Sequence, residues 1–146
     1  MNDSTQNTDT VKETTNLSTE SLSTLFEKQM SNQSEMIKKG MYDQYVDWIT
    51  KNERTLPVDH PLLASYHIQQ LISEIGEVLE ADKRWKNIRN VKYNRVEKLD
   101  EIADCFIVLM NITMYSGFDS KQLYWAVNNK LDVFAERIEN ENKENN

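Results

Sequence analysis

LISEIGEVLE, residues 71–80, spaces leucine, isoleucine and valine at the three- and four-residue intervals of a helix with one apolar face. Glu74 and Glu77 stand inside that pattern, one turn apart. Two carboxylates so placed are either the wet edge of a helix or a pair that holds something of opposite charge. The same periodicity extends through Ile68, Leu71, Ile72, Ile75 and Leu79 and predicts a helix over about 61–86, with these residues facing a core. Pro61 suits its first turn, because proline lacks the N–H that a first turn leaves unpaired.

The flanking sequence continues in the helical style. The chain has 146 residues with only three glycines and two prolines. It shows no alternating strand pattern, so it reads as an all-α, four-helix bundle whose few breakers mark the joints. A first helical region covers about 18–53, with Leu22, Leu25, Phe26, Met30, Ile37, Met41, Tyr45, Trp48 and Ile49 as its stripe and Gly40 as a possible interruption. LPVDHP (56–61) ends it, and KNIRNVKYN (86–94) makes the next turn. A third helix runs from about 94 to 116 and stops at Gly117. Asp119 and Gln122 form a capping box for a fourth, 120 to about 139, striped by Leu123, Val127, Leu131, Phe134 and Ile138. Residues 1–17 and 140–146 are polar enough to read as disordered tails around a single domain, 18–139.

Composition excludes several classes. A net charge of −7 argues against nucleic-acid binding, which needs a basic stripe. No apolar run is long enough to span a membrane. The N-terminus lacks the basic and apolar regions of a signal peptide, so a cytoplasmic location is expected. The single cysteine, Cys105, sits in CFIVLM and reads as a small buried hydrophobe without a disulfide partner.

The acidic pair has a counterpart. KLDEIADCFIVLMNI (98–112) carries Glu101 and Asp104, again three apart and so on one side of a helix. Glu77 precedes the intervening turn by ~12 Å of helix and Glu101 follows it by ~10.5 Å, so an antiparallel hairpin sets the pairs level. Leu99, Ala103, Phe106 and Met110 form the main apolar side of this helix. Cys105, Val108 and Ile112 lie among the acids on the other, which places the carboxylates in a partly closed groove. Four facing carboxylates repel one another unless protonated or bound to cations, and hard oxygen-seeking ions, Mg²⁺ or Mn²⁺, are the natural counter-charge. Glu80, Glu97 and Asp100 read instead as solvated or lysine-paired charges.

SEIGEVLEADKRWKN followed by KLDEIADCFIVLMNI resembles the all-α nucleoside triphosphate pyrophosphatase superfamily, which includes MazG-like proteins, dimeric dUTPases and dCTP pyrophosphatases. The shared pattern is ExxE, a spacer, then ExxD. Here it is Glu74-Ile-Gly-Glu77 and Glu101-Ile-Ala-Asp104 with 23 residues between, and the resemblance covers about 61–138. It implies Mg²⁺ ligation by Glu74, Glu77, Glu101 and Asp104. It implies substrate contacts from Asn111, from Trp85 on the nucleobase, and from Lys130 on phosphate. Val133 departs from the family, many of whose members carry arginine there. Arg137, a further turn along the same edge, is the replacement candidate.

The implied reaction cleaves a (deoxy)nucleoside triphosphate between the α- and β-phosphates, giving a monophosphate and pyrophosphate, with dUTP or dCTP preferred. The general base is Glu74 or Glu77. Lys130, Arg137 and the turn cluster Lys83, Arg84, Lys86 and Arg89 are candidates to receive pyrophosphate. Each has a plainer reading: snorkelling or solvated charge for the cations, packing for Trp85, His67 and Asn111, and a subunit contact for Trp125. A homodimer or homotetramer is expected. A di-iron bundle is disfavoured because neither pair continues to the histidine of Glu-x-x-His. A non-enzymatic helical adaptor is the remaining alternative.

Overall fold

The computed structural model describes residues 7–42, 55–86 and 93–144. Among these the fold is all-α: α1 (Asn7–Lys38), α2 (Pro61–Ala81), a 3-10 turn (Lys83–Lys86), α3 (Arg95–Tyr115) and α4 (Ser120–Glu144). No helix among them is long and apolar enough to cross a membrane. Residues 43–54 and 87–92 lie outside the described residues, and with them Tyr45, Trp48, Ile49, Arg89 and most of the KNIRNVKYN turn.

The helix ends follow local chemistry. Pro61 opens α2, and the His60 ring caps it, Nδ1 accepting from the Leu63 amide at 3.2 Å. The Asn94 side chain accepts from the Val96 and Glu97 amides at the start of α3. Asp119 and Gln122 form the reciprocal capping box of α4, with amide-to-side-chain distances of 2.9 and 2.8 Å. Glycines close α1 and α3. Gly40 (φ 69°) and Gly117 (φ 82°) take the left-handed conformation that a Cβ disfavours. Their amides and those of Met41 and Phe118 bond back to the last turn in the Schellman pattern.

Helix α1 begins at Asn7 and α4 runs to Glu144. Low hydrophobicity removes a reason to pack but does not forbid helix. Extending an existing helix adds one bond per residue fixed, and Glu and Lys at the end of α4 are good helix formers.

The chain divides into two compact units, one of residues 1–27 with 119–146 and one of residues 28–118. In the first, the hydroxyls of Ser23 on α1 and Ser120 on α4 share a hydrogen bond of 3.2 Å. The second is built on α2 packed against α3. Its core is concentrated at one end, where Tyr42, Val58, Leu63, Met110, Met114 and Tyr115 are buried. The Val58 and His60 amides bond the carbonyls of Met114 and Tyr115 at 2.8 Å each, tying the entry of α2 to the exit of α3. His67 stacks on Tyr115 (5.2 Å, 6° between planes) and meets Tyr42 and Tyr66 edge-on.

The stripes expected to form the core are placed otherwise. Ile68, Ile72, Ile75 and Leu79 of α2, Leu99 and Phe106 of α3, and Val127, Leu131, Phe134 and Ile138 of α4 are exposed. Periodicity shows which side of a helix is apolar; it does not say what covers that side.

Candidate metal centre

Helices α2 and α3 run antiparallel, since each end of one bonds the opposite end of the other. Near the core end, His67 lies beside Asn111 (3.5 Å). At the far end, the Lys98 ammonium donates to the Asp82 carboxylate at 2.7 Å. Counting equally along both helices from the His67–Asn111 rung brings Glu74 level with Asp104 and Glu77 level with Glu101. The register expected from distances to the turn therefore holds.

Glu74, Glu77 and Glu101 each offer a carboxylate oxygen, all within 4.8 Å of one another. Glu77 is exposed, while Glu74 and Glu101 are half-buried. Asp104 lies outside this trio, yet its charge reaches both Glu74 and Glu101. Loss of solvent, then repulsion from Glu77 and Asp104, pushes the Glu74 carboxyl above its ordinary range. Glu101 is pushed the same way by desolvation, by the Glu77 charge, and by a hydrogen bond to Glu77 that only the protonated acid donates. Three carboxylate oxygens converging at this spacing fit a hard divalent cation, which would offset the repulsion that now favours protonation.

Cys105 borders the cluster, with its thiol pushed up by burial and by the Glu74 and Asp104 charges. The helical wheel of α3 places Cys105 among the acids, and there it stands.

The expected substrate contacts are each engaged by local partners or exposed. Asn111 is buried at 4% exposure and accepts from the Gln29 amide at 2.8 Å. Trp85 is exposed in the 3-10 turn, where its Nε1–H donates to the Leu79 carbonyl at 3.1 Å. The Lys86 ammonium lies 5.3 Å above that ring and 3.9 Å from a Glu80 oxygen. Lys83 pairs with Glu80 at 2.9 Å. Arg84 makes a two-pronged bond to Asp82 (2.8 and 2.7 Å) and stacks 3.4 Å over the Tyr93 ring. Asp82 is thereby held well below the usual carboxylate range, by Arg84 first and then Lys98. Lys130 and Arg137 are exposed on α4, two turns apart on one edge.

A buried polar network at the core end carries no clear sequence signal. Gln29 bonds Asn111, and Gln33 accepts from the hydroxyls of both Tyr42 and Tyr115 at 2.8 Å. The His67 Nδ1–H donates to Gln70 at 2.8 Å, which leaves Nε2 buried with no partner among the described residues. Two glutamines on a polar helix carry no composition signal. Their spacing at 29 and 33, one turn apart beside Phe26, Met30 and Ile37, was the only trace.

Comparison of the chain with protein-family models, with curated proteins and with solved structures gave no match.

Proposed function

We propose that this protein is a metal-dependent nucleoside triphosphate pyrophosphohydrolase. It would cleave between the α- and β-phosphates of a deoxynucleotide, with the pyrimidines dUTP and dCTP as first candidates. One observation carries the reading: carboxylate oxygens of Glu74, Glu77 and Glu101, from two antiparallel helices, lie within 4.8 Å of one another. That arrangement supports the reading: both acids of the ExxE pair meet the first acid of ExxD.

Glu74, Glu77, Glu101 and Asp104 would hold Mg²⁺ or Mn²⁺. Bound there, such an ion supplies charge neutralisation for a triphosphate and a more acidic water. Glu74 or Glu77 takes the proton of the attacking water, both being members of the cluster. Trp85 keeps the role the resemblance gives it, on the base, and Lys86 stays a candidate to receive the departing pyrophosphate. Lys86 would first have to leave Glu80. Asn111, enclosed and bonded to Gln29, acts by holding the groove in place.

The test is a panel of canonical and modified nucleoside triphosphates with Mg²⁺ or Mn²⁺, with products resolved. Monophosphate and pyrophosphate are expected, falling at least a hundredfold in Glu101→Gln. Absence of hydrolysis, or release of the γ-phosphate alone, rejects the proposal. The bare apolar sides of α2, α3 and α4 favour a second reading, a non-enzymatic helical adaptor. An adaptor releases no pyrophosphate, and its partner binding is indifferent to Glu77→Gln.

A further inference from the structure

KRWKNIRNVKYNRVEK, residues 83–98, holds seven of the chain's 17 lysines and arginines and one of its 24 acids. This stretch is therefore +6 and the remainder of the chain −13. The net charge of −7, which speaks against a nucleic-acid partner for the chain as a whole, averages over that asymmetry. Residues 83–86 and 93–98 are among those described, and they carry five of the seven cations. Helix stability does not explain all five. Arg95 and Lys98 stand in the first turn of α3, the end at which the helix dipole favours acids.

Local ion pairs absorb part of this charge and leave a remainder. Asp82 holds both Arg84 and Lys98, each at 2.7 Å. Glu80 is shared by Lys83 at 2.9 Å and Lys86 at 3.9 Å. Two cations to each acid leave each group one positive charge in surplus. Each group also includes an aromatic ring. The Arg84 guanidinium lies 3.4 Å over Tyr93, and the Lys98 ammonium is 5.8 Å from the same ring. The Lys86 ammonium lies 5.3 Å from the centre of Trp85, which is 59% exposed. Arg84 is itself exposed, so its plane offers a second stacking surface beside the indole.

Flat surfaces set among surplus cations fit a ligand whose flat groups alternate with anions. In a single-stranded nucleic acid the bases stack and the phosphates between them meet the cations. An acidic peptide supplies anions but no rings to cover Trp85. A membrane surface is met by a long amphipathic helix, whereas Lys83–Lys86 is a four-residue 3-10 turn. We propose that this end of the α2–α3 hairpin binds single-stranded nucleic acid. Trp85 and the Arg84–Tyr93 stack take bases, and Lys83, Lys86 and Lys98 take phosphates. The inference does not rest on the hydrolase reading, although Trp85 and Lys86 figure in both.

Fluorescence anisotropy of a labelled oligo(dT) of about twelve nucleotides, titrated with the full chain in EDTA at low salt, tests it. Saturable binding is expected. Its logarithmic salt slope should be about −1.4 to −2.8, the range for two to four phosphate contacts on a single strand. Trp85→Ala is expected to weaken binding about tenfold, the loss of one stacked base. Lys83→Glu with Lys86→Glu is expected to weaken it at least tenfold. Helical circular dichroism should hold in both variants, since all three side chains are exposed. Glu101→Gln is expected to bind as the wild type does. A wild type that shows no saturable binding overturns the proposal, and so does binding that survives both variants. A changed affinity in Glu101→Gln overturns it by placing the oligonucleotide at the carboxylates. Displacement by polyglutamate as effective as by unlabelled oligo(dT), with Trp85→Ala silent, makes this a site for acidic peptides instead. Binding to phosphatidylglycerol vesicles but not to oligo(dT) makes it a membrane contact.

Discussion

His67 is the residue at which burial and charge conflict most directly. It sits among Tyr42, Tyr66 and Tyr115, with Nδ1 donating to Gln70 and Nε2 enclosed with no donor among the described residues. Desolvation lowers its pKa from 6.5, the Gln70 bond opposing only in part. The unfolded chain therefore binds the proton first, and stability should fall as pH drops below about 6.5. Urea titrations at pH 7.5 and 5.5 check this, with His67→Phe expected to flatten the difference. The carboxylates work in the other direction. Glu74 and Glu101 have raised folded-state pKa values, so without a cation their contribution declines as pH rises above 4.5. Millimolar Mg²⁺ or Mn²⁺ should then raise the melting temperature at pH 7 more than at pH 5, and Glu101→Gln should abolish most of that rise. Asn111→Ala should cost about 1–3 kcal/mol by leaving the buried Gln29 amide unpaired, whatever the nucleotide chemistry. At this scale the sequence was informative for the acids, because two i,i+3 pairs equidistant from a turn have few ways to avoid each other. It was silent on Gln29 and Gln33, since a lone glutamine is compatible with almost any surface.

Among the helices, punctuation was the legible part. Pro61, Gly117 and the Asp119–Gln122 box each specify a terminus through one backbone requirement, and each marks the terminus observed. Gly117 is doubly constrained. Its φ is 82°, and a Cβ there would stand 3.3 Å from the Asp59 amide nitrogen, where the loop pairs with Ser116. Gly117→Ala should therefore destabilise by about 1–2 kcal/mol in urea denaturation. Asn94→Ala, which removes the cap of α3, should cost about 1 kcal/mol in the same assay. The caps that went unread are those made by residues with other common uses. Histidine at 60 and aspartate at 82 announce a terminus far less strongly than glycine or proline.

Across the molecule, helical content was readable because nothing in the sequence competes with it: few breakers, no alternation and long apolar periods. What the periods left open was their partner. In residues 28–118 the enclosed positions cluster at one end, at Leu63, His67, Met114 and Tyr115, while the stripes of α2 and α3 remain accessible. Hydrogen exchange should report this gradient. Amides of 108–116, with buried side chains and loop pairing at Val58 and His60, should exchange slowest, and those of 96–103 markedly faster. A uniform profile along α3 would show instead that its two ends open together.

The salt-bridged pair at the far end of the hairpin sets a limit on sliding. Asp82 grips Arg84 and Lys98 at once, and Arg84 is flattened on Tyr93. A slip of one helical turn between α2 and α3, ~5.4 Å, would leave apolar contacts nearly as good but carry Glu77 from Glu101 towards Cys105 or Glu97. The grip on Asp82 thus acts as an alignment pin, and loosening it with Asp82→Ala would blur the spacing of acids roughly 5–8 Å of helix away that it never touches.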